Sequence, residues 1–158
     1  SIFNIINHSK LLSSDFNQCT ILDLFAGVGS FGLEAISRGA KKVSFFENYK
    51  PALDMLHKNI KNLSYEEQSE IYNKNIYDEK SFEKLSCKFD IVFLDPPYKY
   101  ENLDIILKKL VNSKFISNKT LIILHRHKKT KDNFIKEFKI VREEIYGSSK
   151  IFFGFFNF

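Results

Sequence analysis

Apolar residues in this chain come in short continuous runs that alternate with stretches of helical spacing. Ile2, Phe3, Ile6 and Leu12 recur at roughly helical intervals. Residues 19–25 (CTILDLF) form an apolar run closed by Gly27 and Gly29, the signature of a buried strand. A helix is predicted over 31–38, with Ser30 as its N-cap and Gly39 as its stop. Residues 42–46 (KVSFF) read as a second strand, and Pro51 fits the first turn of a helix reaching Leu63. Further strands are predicted at 69–72, 89–94 and 120–125, with helices at 77–85, 102–111 and 131–137. Two β-rich stretches, 138–146 and 150–156, are joined by Gly147-Ser148-Ser149 and read as a hairpin. Strands alternating with helices predict an α/β fold: a mostly parallel, doubly wound sheet with an antiparallel C-terminal strand. No linker or repeat divides the 158 residues, so one domain over 1–158 is expected.

A sheet of this kind binds ligands at the carboxyl ends of its strands, where the strand order reverses. Gly27-Val28-Gly29-Ser30-Phe31-Gly32 fits G-x-G-x-x-G between a strand and a helix. About twenty residues on, Glu47 stands at the end of the second strand, suited to accept hydrogen bonds from ribose hydroxyls. Both a nicotinamide dinucleotide and S-adenosylmethionine carry such a ribose. Asp23 favours the second. A pyrophosphate gains nothing from a nearby carboxylate, whereas the methionine ammonium does.

Asp95-Pro96-Pro97-Tyr98 follows the fourth strand, which the fold sets beside the glycine loop. An exocyclic amine of a nucleobase is a poor nucleophile because its lone pair is delocalised into the ring. Two acceptors for its two N–H bonds, the Asp95 carboxylate and the Pro96 carbonyl, would draw the nitrogen toward tetrahedral geometry. The Pro96-Pro97 pair stiffens the loop, and Tyr98 offers a face on which a base can stack. Catalysis of this kind is positioning and electrostatics, with no metal and no covalent intermediate.

Composition adds less. Net charge is +5 with 24 Lys and Arg against 19 Asp and Glu, which favours an anionic partner such as nucleic acid. No apolar run is long enough to span a bilayer, and Cys19 and Cys87 form no C-x-x-C pair, so a reducing cytoplasm is the expected compartment. His125-x-His127 lacks an evident third ligand for a metal. The lysines at 108, 109, 114, 119, 128, 129 and 131 form either an RNA-facing patch or a solvated surface. Phe152, Phe153, Phe155, Phe156 and Phe158 read mainly as core and hairpin packing.

Taken together, LDLFAGVGSFGLEAISRGA, FFENYKPALDMLHKNI and FDIVFLDPPYK resemble the bacterial 16S ribosomal RNA guanine-N2 methyltransferase family of the RsmD type. The likeness extends over essentially the whole chain, from SIFNII to YGSSKIFFGFF. It implies a Rossmann-like S-adenosylmethionine-dependent methyltransferase fold and a monomer. It also implies that Asp23, Ala26, Gly27 and Gly29 hold the methionine part of the cofactor, Glu47 the ribose, and Asn48, Asn75 and Ile76 the adenine. The family often has Asp-Ala where this chain has Asn75-Ile76. Asp95, Pro96, Pro97 and Tyr98 match the catalytic loop, and the implied substrate is a guanine of 16S rRNA within the assembling small ribosomal subunit. The family carries a basic β-hairpin ahead of the segment matching SIFNII, without a counterpart in these residues, so weak binding to free RNA is expected. Two other readings compete: an adenine-N6 DNA methyltransferase using the same loop, and a catalytically silent RNA-binding module of the same fold.

Overall fold

The computed structural model describes residues 1–99 and 102–158. Seven strands form one sheet in the order β3-β2-β1-β4-β5-β7-β6. They are β1 (Thr20–Asp23), β2 (Lys42–Phe46), β3 (Ser69–Tyr72), β4 (Ile91–Leu94), β5 (Leu121–His127), β6 (Phe138–Tyr146) and β7 (Ser149–Phe156). The first five run parallel, and β7 pairs antiparallel with both β5 and β6. Strand order reverses between β1 and β4, which opens a crevice at their carboxyl ends. This is the mostly parallel, doubly wound architecture with an antiparallel C-terminal strand that the alternating pattern predicted, and the Rossmann-like fold that the resemblance implied.

The centre of the sheet is buried on both faces, which explains why β1, β4 and β5 read as unbroken apolar runs. Ile21, Ile91, Leu121, Ile123 and Phe153 point to one face, into a core shared with α1 (Ile2–His8), α2 (Ser30–Ser37) and α3 (Lys50–Leu63). Leu22, Val92, Leu94, Ile122 and Phe152 point to the other, under α4 (Leu103–Val111). Phe152, Phe153 and Phe156 are core residues, while Phe158 is exposed. No helix of the described residues is long and apolar enough to cross a membrane.

Three local expectations are corrected. Ser30 does not cap α2: it is the first helical residue, and Gly29, in left-handed backbone at φ 96°, holds the cap position. The helix predicted over 77–85 is instead a chain of turns, closed by bonds such as Asp78 N–H to the Asn75 carbonyl and Ser81 N–H to the Asp78 carbonyl. Tertiary contacts win there. The Lys109 ammonium, reaching across from α4, takes the Ile76 carbonyl at 2.6 Å together with the Asp78 carbonyl and Ser81 Oγ, and lies over the Phe82 ring. Those carbonyls would otherwise begin a helical ladder. Partial burial lowers the Lys109 pKa from its ordinary value, against the opposing pull of Asp78 and Glu79. Lys109 thus braces this segment against α4.

The helix predicted over 131–137 is also absent. Asp132 accepts from Arg126 and from Thr130 Oγ, while Phe134 packs against Phe138 and Phe152, so distant partners fix the segment.

The helix α2 sits so close to β2 that Gly32 has no room for a side chain. A Cβ there would run into the Phe45 ring and come within 2.9 Å of Val43 Cγ1. Gly32→Ala should therefore destabilise the protein by about 1–3 kcal/mol through overpacking. Denaturant unfolding measures this directly, and an unchanged midpoint would mean that α2 is free to shift away from the sheet.

Candidate functional site

A cavity of about 800 Å³ opens where β1, β2 and β4 end. Its acidic lining comes from four elements: Asp23 from the end of β1, Glu34 from α2, Glu47 beyond β2 and Asp95 beyond β4. Ala26, Gly27 and Asn48 line it too, as do Pro97 and His125. Its apolar wall is aromatic. Phe31 stacks on Phe93 with centroids 3.8 Å apart and planes 5° apart, and Phe3 of α1 stacks on the other side of Phe31 at 5.0 Å.

Asp23 is buried, with 1% of its surface exposed, and neither carboxylate oxygen completes a hydrogen bond among the described residues. Burial, reinforced by the charges of Asp95 and Glu47, pushes its pKa up to about 8, and the facing Gly32 N–H offsets part of that rise. An orphaned buried carboxylate under two further carboxylates is a poor arrangement for the bare protein. It suits a ligand bringing a positive charge and hydrogen-bond donors.

Glu47 is held from two sides. Gly27 N–H donates to Oε1 at 2.7 Å and Tyr49 N–H to Oε2 at 2.9 Å. The carboxylate therefore pins the glycine loop, and Gly27 presents its amide with a positive φ of 57°. Gly29 serves a different end. A Cβ there would meet Leu56 Cδ1 at 2.6 Å, so its smallness lets the loop sit down on α3.

Asp95 Oδ1 accepts a hydrogen bond from His125 Nδ1, 2.9 Å away. That hydrogen bond, with the attraction of the carboxylate, raises the imidazole pKa above its ordinary value despite partial desolvation. Pro96 is buried and Pro97 faces the cavity. Tyr98 is 61% exposed and sits outside this cavity, its ring 5.2 Å from that of His127. Beneath the loop, Arg126 is buried beside Asp132 at 3.0 Å and directs Nη1 at the Pro97 carbonyl at 3.5 Å.

Of the twelve residues singled out from the sequence, Asp23, Ala26, Gly27, Glu47, Asn48, Asp95 and Pro97 share this cavity. Gly29, Asn75, Ile76, Pro96 and Tyr98 are not part of its lining. Asn75 accepts the Tyr77 N–H in a local turn, and Ile76 is buried in the core under α4, leaving Tyr77 as the lining residue of that segment. His125 and Arg126 were not assigned to the site from the sequence. Aligning the C-terminal ends of the fourth and fifth strands would have found His125. Leu94 pairs with Leu124, so the next residues, Asp95 and His125, stand side by side. His127 Nδ1 accepts the Lys129 N–H, and no group of three or more His, Cys, Asp or Glu among the described residues is placed to hold a metal ion.

Residues 1–154 match the model of the family described as conserved hypothetical protein 95. The chain belongs to that family, the RsmD type. It is 36% identical over 113 residues to the ribosomal RNA small subunit methyltransferase D of Haemophilus influenzae, a match covering 71% of this chain and 58% of that relative. Among solved structures it resembles a conserved hypothetical protein of Streptococcus pyogenes, with a TM-score of 0.82 and 29% identity, covering 99% of this chain and 93% of the other. A ribosomal protein L11 methylase from Lactobacillus delbrueckii subsp. bulgaricus shares the fold alone, at a TM-score of 0.66 and 12% identity over 99% of this chain and 76% of that one.

The state of Asp23 has a measurable consequence. Unfolded, its carboxyl ionises near the ordinary value of 3.8; folded, it holds its proton until about pH 8. Between those limits the folded chain binds a proton that the unfolded chain has lost. The contribution of Asp23 to stability therefore falls as pH rises through the window and levels off above about pH 8. Asp23→Asn removes that dependence and should raise stability at pH 8 in the absence of ligand. Denaturant midpoints between pH 5 and pH 9 measure it, and identical pH profiles for the two proteins would mean that Asp23 ionises normally.

Proposed function

We propose that this chain transfers a methyl group from S-adenosylmethionine to an exocyclic amino group of a nucleobase, the N2 of a guanine in small-subunit ribosomal RNA. The reading rests above all on one juxtaposition: the Asp95 loop shares a cavity with the buried Asp23 and with the glycine loop pinned by Glu47. Membership of the family and the likeness to a ribosomal RNA small subunit methyltransferase D support the substrate class.

The cofactor fits the groups present. Asp23 offers an unsatisfied carboxylate to an ammonium, Glu47 has lone pairs left for ribose hydroxyls, and Asn48 lies at the same mouth. Asn75 and Ile76 would act on the adenine through the turn that presents Tyr77 rather than as lining groups. When bound, S-adenosylmethionine supplies an electrophilic methyl group on a sulfonium.

The chain's own part is to present the nucleophile. His125 occupies Asp95 Oδ1 and fixes the carboxylate plane, leaving Oδ2 to accept one N–H of the amine. The Pro96 carbonyl is the candidate acceptor for the second. With both N–H bonds held, the nitrogen lone pair is withdrawn from the ring and directed along one line, so the barrier falls through positioning. The proton shed once nitrogen carries the methyl group can pass to the Asp95 carboxylate, beside the His125 imidazole.

Incubation with labelled S-adenosylmethionine and isolated small ribosomal subunits, followed by nucleoside analysis, tests the reading. N2-methylguanosine is expected. N6-methyladenine would move the chain to an adenine methyltransferase, and no transfer to any RNA or DNA would leave an RNA-binding module of the same fold. Asp95→Ala should lower turnover roughly 100-fold or more while S-adenosylhomocysteine still binds, because the acceptor acts mainly in the transition state. Asp95→Asn keeps one acceptor oxygen and should retain part of the activity.

Glu47→Ala should weaken S-adenosylhomocysteine on the order of 10-fold or more, since a hydrogen bond to a carboxylate contributes about 1.5–3 kcal/mol. Calorimetry reads this directly. Unchanged affinity would confine Glu47 to its role on the glycine loop, and comparable binding of a nicotinamide dinucleotide would overturn the proposal.

A further inference from the structure

A second cavity, of about 680 Å³, lies on the other side of the Asp95–Tyr98 loop. We propose that it holds phosphodiester groups of a single-stranded RNA segment next to the nucleotide presented to Asp95. The inference rests on the functional reading above, which it deepens by locating where the strand is held.

The two cavities have opposite charge. Among the described residues, the first gathers Asp23, Glu34, Glu47 and Asp95 with His125 as its basic group, and the second gathers Lys99, Arg126, Lys129 and Lys131 against the carboxylate of Asp132. That carboxylate is committed. Its Oδ1 pairs with Arg126 and its Oδ2 accepts from Thr130 Oγ, so it forms the floor and leaves the lysines to set the potential. Among the described residues no ion pair uses Lys99, Lys129 or Lys131, and all three are exposed. An anion is repelled from the first cavity and attracted to the second.

The cavity is also built, and tied to the loop. Arg126, 2% exposed, spans from Asp132 to the Pro97 carbonyl, so the lysine segment and the loop share one buried anchor. Further bonds fix the segment: Lys128 N–H to the Ser148 carbonyl, Lys129 N–H to His127 Nδ1, and the Lys150 ammonium to the Thr130 carbonyl. The loop itself is the partition. Asp95 and Pro97 face the acidic side, and Tyr98 faces the basic side with His127 against its ring. A base swung toward Asp95 leaves its neighbouring phosphates to pass over Tyr98, where stacking and cationic charge coincide.

The test is binding of a guanine-containing single-stranded RNA oligonucleotide, read by fluorescence anisotropy over a series of salt concentrations without cofactor. The double variant Lys129→Gln/Lys131→Gln removes two cations and should lower the slope of log affinity against log salt by about 1.4, at about 0.7 per phosphate contact on single strands. S-adenosylhomocysteine affinity should be unchanged, which also shows that the variant is folded. The double variant Lys58→Gln/Lys61→Gln, on the exposed side of α3, should leave the slope as in the unaltered chain. Equal slopes for the Lys129/Lys131 variant and the unaltered chain would overturn the proposal. So would an equal fall in the Lys58/Lys61 variant, or no salt-dependent binding by the unaltered chain at the lowest salt. A normal slope change combined with no methyl transfer by the unaltered chain would instead count against the methyltransferase reading alone.

Discussion

The site depends on the register of three parallel strands around Asp23. That residue lies opposite Phe45 of β2 and Phe93 of β4. Two residues further along each neighbour stand Glu47 and Asp95. Side chains alternate along extended chain, so a spacing of two aims each carboxylate toward the face used by Phe45 or Phe93. Three acids thereby converge on one crevice where strand order reverses, and the innermost is buried with neither oxygen completing a hydrogen bond among the described residues. A one-residue slip of either neighbour would turn its carboxylate to the opposite face and would also exchange the apolar residues of the two cores. The hydrophobic pattern that fixes the fold therefore also fixes the charge cluster.

The loop after β4 has to stay rigid although it carries exposed polar groups. Three contacts hold it, all to β5 or to the core: the buried Pro96 ring, His125 on Asp95, and Arg126 directed at the Pro97 carbonyl. Consecutive residues of β5 point to opposite faces, so His125 reaches the first cavity while Arg126 goes under the loop to meet Asp132. One strand end braces both halves of the loop. Burying the Arg126 charge is tolerable because Asp132 is itself held by Thr130, leaving no orphaned group in the pair.

The central strands β1, β4 and β5 were legible in the sequence because burial on both faces leaves unbroken apolar runs bounded by Gly, Pro and charge. The 42–46 and 69–72 predictions coincide with β2 and β3. What misled was local propensity in segments governed by distant partners. Residues 77–85 have a helical composition, but Lys109, more than twenty-five positions away, takes the carbonyls that would begin the helix. Asp132 in the 131–137 segment is claimed by Arg126 in the same way. At the site, motifs identified the residues that follow strands, and seven of them do share the cavity. His125 escaped because its meaning lies in strand register, and Ser30 was misread because Gly29 in left-handed backbone fills the cap position.

The three central carboxylates differ in how far the protein itself satisfies them, and the buried one is satisfied least. Glu47, at the mouth, receives a backbone N–H on each oxygen and keeps an outward lone pair on both. Asp95, on the loop, has one oxygen engaged by His125 and the other open. Asp23, buried beneath them, has neither oxygen bonded among the described residues. Fixing the outer two in advance means that little side-chain freedom remains to be lost when a ligand arrives. Leaving the innermost bare places the strongest unmet demand where the local dielectric is lowest and a positive charge recovers the most. The same demand opposes the folding of the empty protein, so stability at neutral pH and readiness for a cationic ligand are set against each other by the same side chain.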